Sequence, residues 1–134
     1  MEYDLVHAFF GRFGVLIPLL AVFFELAGLI TGKRLVSTIA GFLVILGVIV
    51  VILAGITGFI QLHFLQETYA DISQYKLHTM LGTIITVDFL LIGILRIFLF
   101  FKVIEKLVLI YMIFYVINVL LNLVSNEIIL HRLY

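Results

Sequence analysis

Four long apolar runs separated by short polar segments decide most of what this chain can become. They cover about residues 5–31, 35–62, 77–101 and 107–130. A bilayer core is crossed by roughly 20 helical residues at about 1.5 Å rise each, and every run is long enough. In hydrocarbon each backbone N–H and C=O has to be paired within the segment, and for a single apolar run the helix does that. The many Val and Ile residues do not alter this, because unpaired backbone groups in lipid cost far more than a β-branched helix propensity. The sequence therefore predicts an all-α fold: a four-helix transmembrane bundle in one domain, residues 1–134, crossing the cell (cytoplasmic) membrane several times.

Composition removes other classes. Of 134 residues, 65% are hydrophobic and 12% charged, against roughly 25% charged in a soluble domain. Formal net charge is zero, so there is no electrostatic footprint for nucleic acid. Cysteine is absent, which excludes disulfides, thiolate zinc sites, iron–sulfur ligation and covalent haem attachment. The first run is not expected to be a cleaved signal peptide, since Glu2 and Asp4 stand where a basic leader would be.

Sidedness comes from the connections. Gly32, Lys33 and Arg34 join the first two runs, residues 102–106 join the last two, and the longest polar stretch, 63–76, lies between the middle pair. The two short connections carry Lys33, Arg34, Lys102 and Lys106 with one acid, Glu105; the opposite side has Glu2, Asp4, Glu67, Asp71 and Glu127 against Lys76 and Arg132. The positive-inside rule makes the short connections cytoplasmic and puts both termini on the extracytoplasmic side.

All four histidines then fall in the outer layer: His7 opens the first helix, His63 closes the second, His78 opens the third and His131 ends the fourth. Histidines at helix ends can simply occupy the polar interface. A b-type haem, however, needs an imidazole from each of two helices and small residues beside them. His7 is followed by Gly11 and Gly14, and His78 by Gly82, on the same helix faces. Gly55 and Gly58 end the second helix at that level; glycine also serves close helix packing in membranes. His7 and His78 are the expected axial ligands, with His63 in reserve and His131 least favoured. A second haem would need another histidine pair about 20 Å deeper, and only an isolated Met112 lies there, so one haem b is expected. Phe9, Phe10 and Phe13 would shield it, with Tyr75, Lys76 or Arg132 near its propionates. A metal ion held by His7 and His78 with Glu2, Glu67 or Asp71 is the competing cofactor; the glycine clearance and 13 Phe residues favour a large apolar group.

Interior charges call for partners. Arg12 lies about 7 Å below His7, and Asp88 about 15 Å below His78. Asn118 and Asn122, Thr86 or Arg12 are the expected partners of Asp88. Glu25 and Arg96, both near the cytoplasmic ends of their helices, are expected to form a structural ion pair with no other titratable cluster around it.

The stretch from His7 to Arg34, HAFFGRFGVLIPLLAVFFELAGLITGKR, resembles a bacterial and archaeal family of small four-helix membrane proteins that carries a domain-of-unknown-function label. In that family the first helix opens with His-Pro-x-x-x-His-Phe-Pro, with an acid thirteen residues after the second His. The second helix ends in an Ala-x-Thr-Gly-like turn, and a His opens the third. His7, Glu25, Ala54-Gly55-Ile56-Thr57-Gly58 and His78 match; Arg12 replaces the second His, and Ala8 and Gly14 replace the prolines. The resemblance covers about residues 5–100. It implies a redox membrane subunit that works with other redox proteins.

Three functions follow. The chain is expected to be a haem b electron-transfer subunit, passing electrons between the quinol pool or a membrane partner and an extracytoplasmic redox protein. The alternative is a non-catalytic structural subunit of a larger membrane complex. A channel or transporter is disfavoured because no broken helix, repeated half or transmembrane polar file is evident. No nucleophile with an activating base is present, so a stand-alone enzyme is not expected.

Overall fold

The structure is a computed structural model; it describes the backbone of residues 2–68 and 73–133 and the side chains of residues 5–67, 73 and 75–127. Four helices follow in order: α1 (Glu2–Thr31), α2 (Arg34–Thr68), α3 (Lys76–Phe101) and α4 (Glu105–Leu133), with a short 3₁₀ turn at Ser73–Tyr75 leading into α3. All four are long and apolar enough to cross a membrane. Helix α2 continues beyond the apolar run, because residues 63–68 contain no Pro or Gly and His63 pairs with Glu67 one turn on at 3.2 Å.

The helices run up and down. Successive contacts between α1 and α2 pair His7 with Gly58, Gly14 with Val51, Pro18 with Gly47 and Gly28 with Ser37, so one chain ascends as the other descends. Between α2 and α3 the same march pairs Gly41 with Phe100, Val48 with Gly93 and Gly55 with Thr86. The bundle closes through His78 with Ser125 and through Gly14 with Asn122. The start of α1, the end of α2, the start of α3 and the end of α4 therefore share one end, here the terminal end; the two short connections mark the other, the loop end. At the α1–α2 turn Gly32 has φ +66° and its N–H donates to Gly28 O at 3.0 Å. This left-handed helix stop is one that glycine takes without strain.

The core is a narrow seam. Val44, Phe89, Ile92, Tyr111 and Tyr115 are almost wholly buried, while Leu16, Phe23, Ile49, Ile94, Ile113 and Leu120 face outward. A soluble protein would hide such residues; in a bilayer they meet lipid tails as apolar as themselves. Helix contact then depends on shape. Added Cβ atoms at Gly47 and Gly28 would lie 3.0 Å from the Pro18 ring and 3.2 Å from the Ser37 backbone, so these glycines set how closely α1 and α2 approach.

Pro18 sits inside α1. Having no N–H, it leaves the Gly14 carbonyl one turn earlier without its helical donor. Asn122 of α4 supplies that donor through Nδ2 at 2.9 Å, and the Tyr115 hydroxyl donates to Pro18 O at 2.6 Å. Sequence from α4 thus completes the backbone of α1, as a helix break in lipid requires.

Candidate functional site

At the terminal end, α1 and α3 stand diagonally across the bundle and each turns one histidine inward. His7 lies on α1 against Gly58 of α2, whose missing Cβ would fall 2.9 Å from the ring. His7 Nδ1 is 3.0 Å from Ala54 O and 3.2 Å from Thr57 Oγ1. His78 Nδ1 is 3.1 Å from Ser125 O and 3.0 Å from Ser125 Oγ. A backbone carbonyl can only accept, so in both rings Nδ1–H is the donor and the neutral tautomer has its lone pair on Nε2. Metal-binding histidines are oriented in this way, by a carbonyl behind the ring.

The two ring centroids are 6.3 Å apart with planes at 70°. An imidazole bound end-on at a metal–nitrogen distance of about 2.0–2.1 Å puts its centroid about 3.2 Å from the metal, so two rings on opposite sides would be about 6.4 Å apart. The separation matches that spacing, and it also falls within the range of about 4.5–7 Å for an ordinary edge-to-face ring contact.

The space beside them is uneven. At Gly82, one turn below His78, nothing lies within 4 Å of where a Cβ would be; at Gly11, one turn below His7, the nearest atom is Asn126 Oδ1 at 3.8 Å. Gly14, by contrast, carries Val51 of α2 at 3.5 Å. Clearance thus exists at the first glycine after each histidine, while Gly14 belongs to helix packing. His63 points away, exposed and paired with Glu67. The side chains of His131, Arg132, Glu2 and Asp71 lie outside the described residues. Among the described residues, no group of three His, Cys, Asp or Glu is placed to hold a metal ion.

The loop end holds a second polar centre. Arg96 Nε and Nη2 approach Glu25 Oε2 and Oε1 at 3.0 and 3.1 Å, and Nη2 also donates to Ser37 O at 2.7 Å. The contact at Nε is electrostatic, since its N–H does not point along the line to the oxygen. The expected pair therefore forms, but it is not isolated. Tyr111 donates its hydroxyl to Glu25 Oε2 at 2.5 Å, its ring is stacked on that of Tyr115, and the Arg96 guanidinium lies 4.7 Å above the Phe100 ring. Every helix contributes a residue. Both tyrosines were missed from the sequence; their spacing with Asn118 on one α4 face is the signal that finds them.

Asp88 differs from expectation. It is half-buried, yet Thr86 donates to Gly82 O, Asn118 to Phe114 O and Asn122 to Gly14 O. Arg12 is exposed on the outer side of α1. None of the four proposed partners serves Asp88, because equal depth in the membrane says nothing about which way a side chain faces. A search for similar proteins found no family model, curated protein or solved structure that matches this chain.

Proposed function

We propose that this chain is a haem b-binding electron-transfer subunit of the cell membrane, with His7 and His78 as the axial ligands. The observation that carries this is the diagonal imidazole pair at 6.3 Å, with each Nδ1 placed on a backbone carbonyl. Two opposed histidines with glycine clearance beside them suit a flat macrocycle that needs two protein ligands; a bare ion would ask for more donors than the described residues offer. Haem b, when bound, supplies one-electron chemistry at a potential set by its axial ligands and surroundings. The chain's own part is to hold the iron and keep both rings in the Nε2 lone-pair tautomer; Phe9 and Phe13, expected to shield the group, face outward instead at 57% and 42% exposure. Lys76 and Tyr75, at the start of α3, are the groups for the propionates.

The basic short connections support a terminal end that faces out of the cell, so electrons pass between the quinol pool or a membrane partner and an extracytoplasmic redox protein. The resemblance of the first three helices to a redox-associated family agrees with this. A structural subunit is the second reading, favoured by the His7 ring filling the gap at Gly58, where it is satisfied by protein alone.

Absorption spectroscopy of the purified protein separates the two. A Soret band and a low-spin reduced-minus-oxidised spectrum are expected, lost in both His7→Ala and His78→Ala and retained in His63→Ala and His131→Ala. Full retention in the first two variants overturns the ligand assignment, and protein that never takes up haem returns the structural reading. A reporter fused after Tyr134 should behave as exported; a cytoplasmic signal reverses the sidedness.

A further inference from the structure

Asp88 stands on a border of α3. Its helical neighbours three before and four after, Ile85 and Ile92, are buried at 3% and 0% exposure. Those four before and three after, Ile84 and Leu91, are 45% and 47% exposed. The half-buried carboxyl therefore lies where the ridge that faces the bundle meets the ridge that faces lipid.

None of the described residues meets it with a hydrogen bond or an ion pair. The Thr86 hydroxyl and the Asn118 and Asn122 amides are committed to backbone carbonyls. The ion pairs of Glu25 with Arg96 and of His63 with Glu67 do not involve it. Along its own helix, Arg96 is about 12 Å away and bound to Glu25, and Lys76 is about 18 Å away in the other direction. Charged side chains inside a membrane are almost always paired. Lipid tails offer no donor, so the donor has to come from another chain.

A second copy of this chain does not bring one. Copies inserted the same way share their depths, so a two-fold contact at this edge sets Asp88 against Asp88, like against like. Arg12, exposed on α1, lies about 7 Å nearer the terminal end than Asp88, given that the two histidine rings are level.

We propose that this edge of α3 docks a transmembrane helix of a different membrane protein, one that carries a Lys or Arg at mid-bilayer depth and an apolar flank. The cation donates to the Asp88 carboxyl, and the flank packs on Ile84 and Leu91. The contact uses neither His7 nor His78, so it stands apart from the haem assignment.

Energy transfer in liposomes tests it, with the full chain and synthetic helices as probes. The chain has no cysteine, so a donor dye goes on Lys33→Cys alone, exposed at the loop end. The acceptor-labelled probes are a Leu–Ala helix of roughly 20 residues with one central Lys, and the same helix with Leu in its place. A central Lys reaches mid-bilayer whichever way the probe inserts. The wild-type chain should bind the Lys helix at least about fivefold more tightly than the Leu helix. That preference should vanish in Asp88→Leu, persist in Asp88→Glu and be unchanged in Arg12→Leu. Thermal stability of Asp88→Leu should be equal to wild type or higher, because no contact within the chain is lost. Equal binding of the two probes, or a preference that survives in Asp88→Leu, overturns the proposal. A marked loss of stability in Asp88→Leu overturns it too, by giving the carboxyl a partner inside the chain. Energy transfer between two copies that disappears in Asp88→Leu would make the edge a self-interface instead.

Discussion

At the loop end, Glu25, Ser37, Arg96 and Tyr111 come from four different helices and converge on one ion pair, with Glu25 and Arg96 each only 5–6% exposed. At the terminal end, His7 and His78 come from two helices, are only part-buried, and are tied back through Nδ1 to Ala54 and Thr57 and to Ser125. The contrast follows from charge. A carboxylate and a guanidinium in lipid surroundings are tolerable only when paired and further hydrogen-bonded, which draws in all four helices. A neutral imidazole is satisfied by one carbonyl behind it and keeps its second nitrogen for other chemistry. One end of the bundle is committed to holding the helices together; the other has uncharged rings and the open space at Gly82.

The largest effect is expected where that commitment lies. Glu25→Leu or Arg96→Leu alone should each destabilise the bundle by about 3–5 kcal/mol, since one buried charge is left unpaired. The double variant should cost clearly less than the sum, in reversible unfolding from bicelles. Additive losses would show that the pair is not the unit that closes the loop end.

Asn122→Leu should cost about 1–2 kcal/mol by stranding the Gly14 carbonyl. In a Pro18→Ala background the restored N–H should remove most of that cost. If Asn122→Leu costs the same in both backgrounds, the amide is not serving the proline break.

In cofactor-free protein, His78→Ala should lower stability by about 1 kcal/mol, the worth of an ordinary hydrogen bond. A loss as large as that for Arg96→Leu would erase the contrast between the ends. Smallest of all, Gly82→Ala should be neutral or stabilising by up to about 1 kcal/mol, since the methyl enters open space and helix propensity improves. Gly47→Ala should instead destabilise by about 1–3 kcal/mol, because its methyl meets Pro18. Haem content measured on Gly82→Ala sharpens the comparison further: loss of haem at unchanged thermal stability is expected if that space serves a cofactor.

Depth was what the sequence could supply. Counting 1.5 Å per residue along four straight runs places Glu25 level with Arg96 and His7 level with His78, and both pairs meet. Direction around each helix was harder to read. Asp88 lies at a height where Asn118 and Asn122 seemed available, but both amides face α1 and their own helix. Gly11 and Gly14 follow the same histidine, yet one fronts nearly open space and the other a valine, a difference made by the position of α2. The end of α2 was placed early because its last turns are polar, and polarity marks where lipid stops, not where the helix does.

The repair of the Pro18 break also bears on how the chain is made. Helices α1 and α2 leave the ribosome first and can pack at once, through Gly14, Gly28 and Gly47. Their hairpin is nevertheless incomplete in the membrane: the Gly14 carbonyl waits for an amide that lies 108 residues further on. Until α4 is synthesised and inserted, the first half of the protein carries an acceptor that its own sequence does not meet, so the α1–α2 hairpin becomes complete only when the last helix arrives.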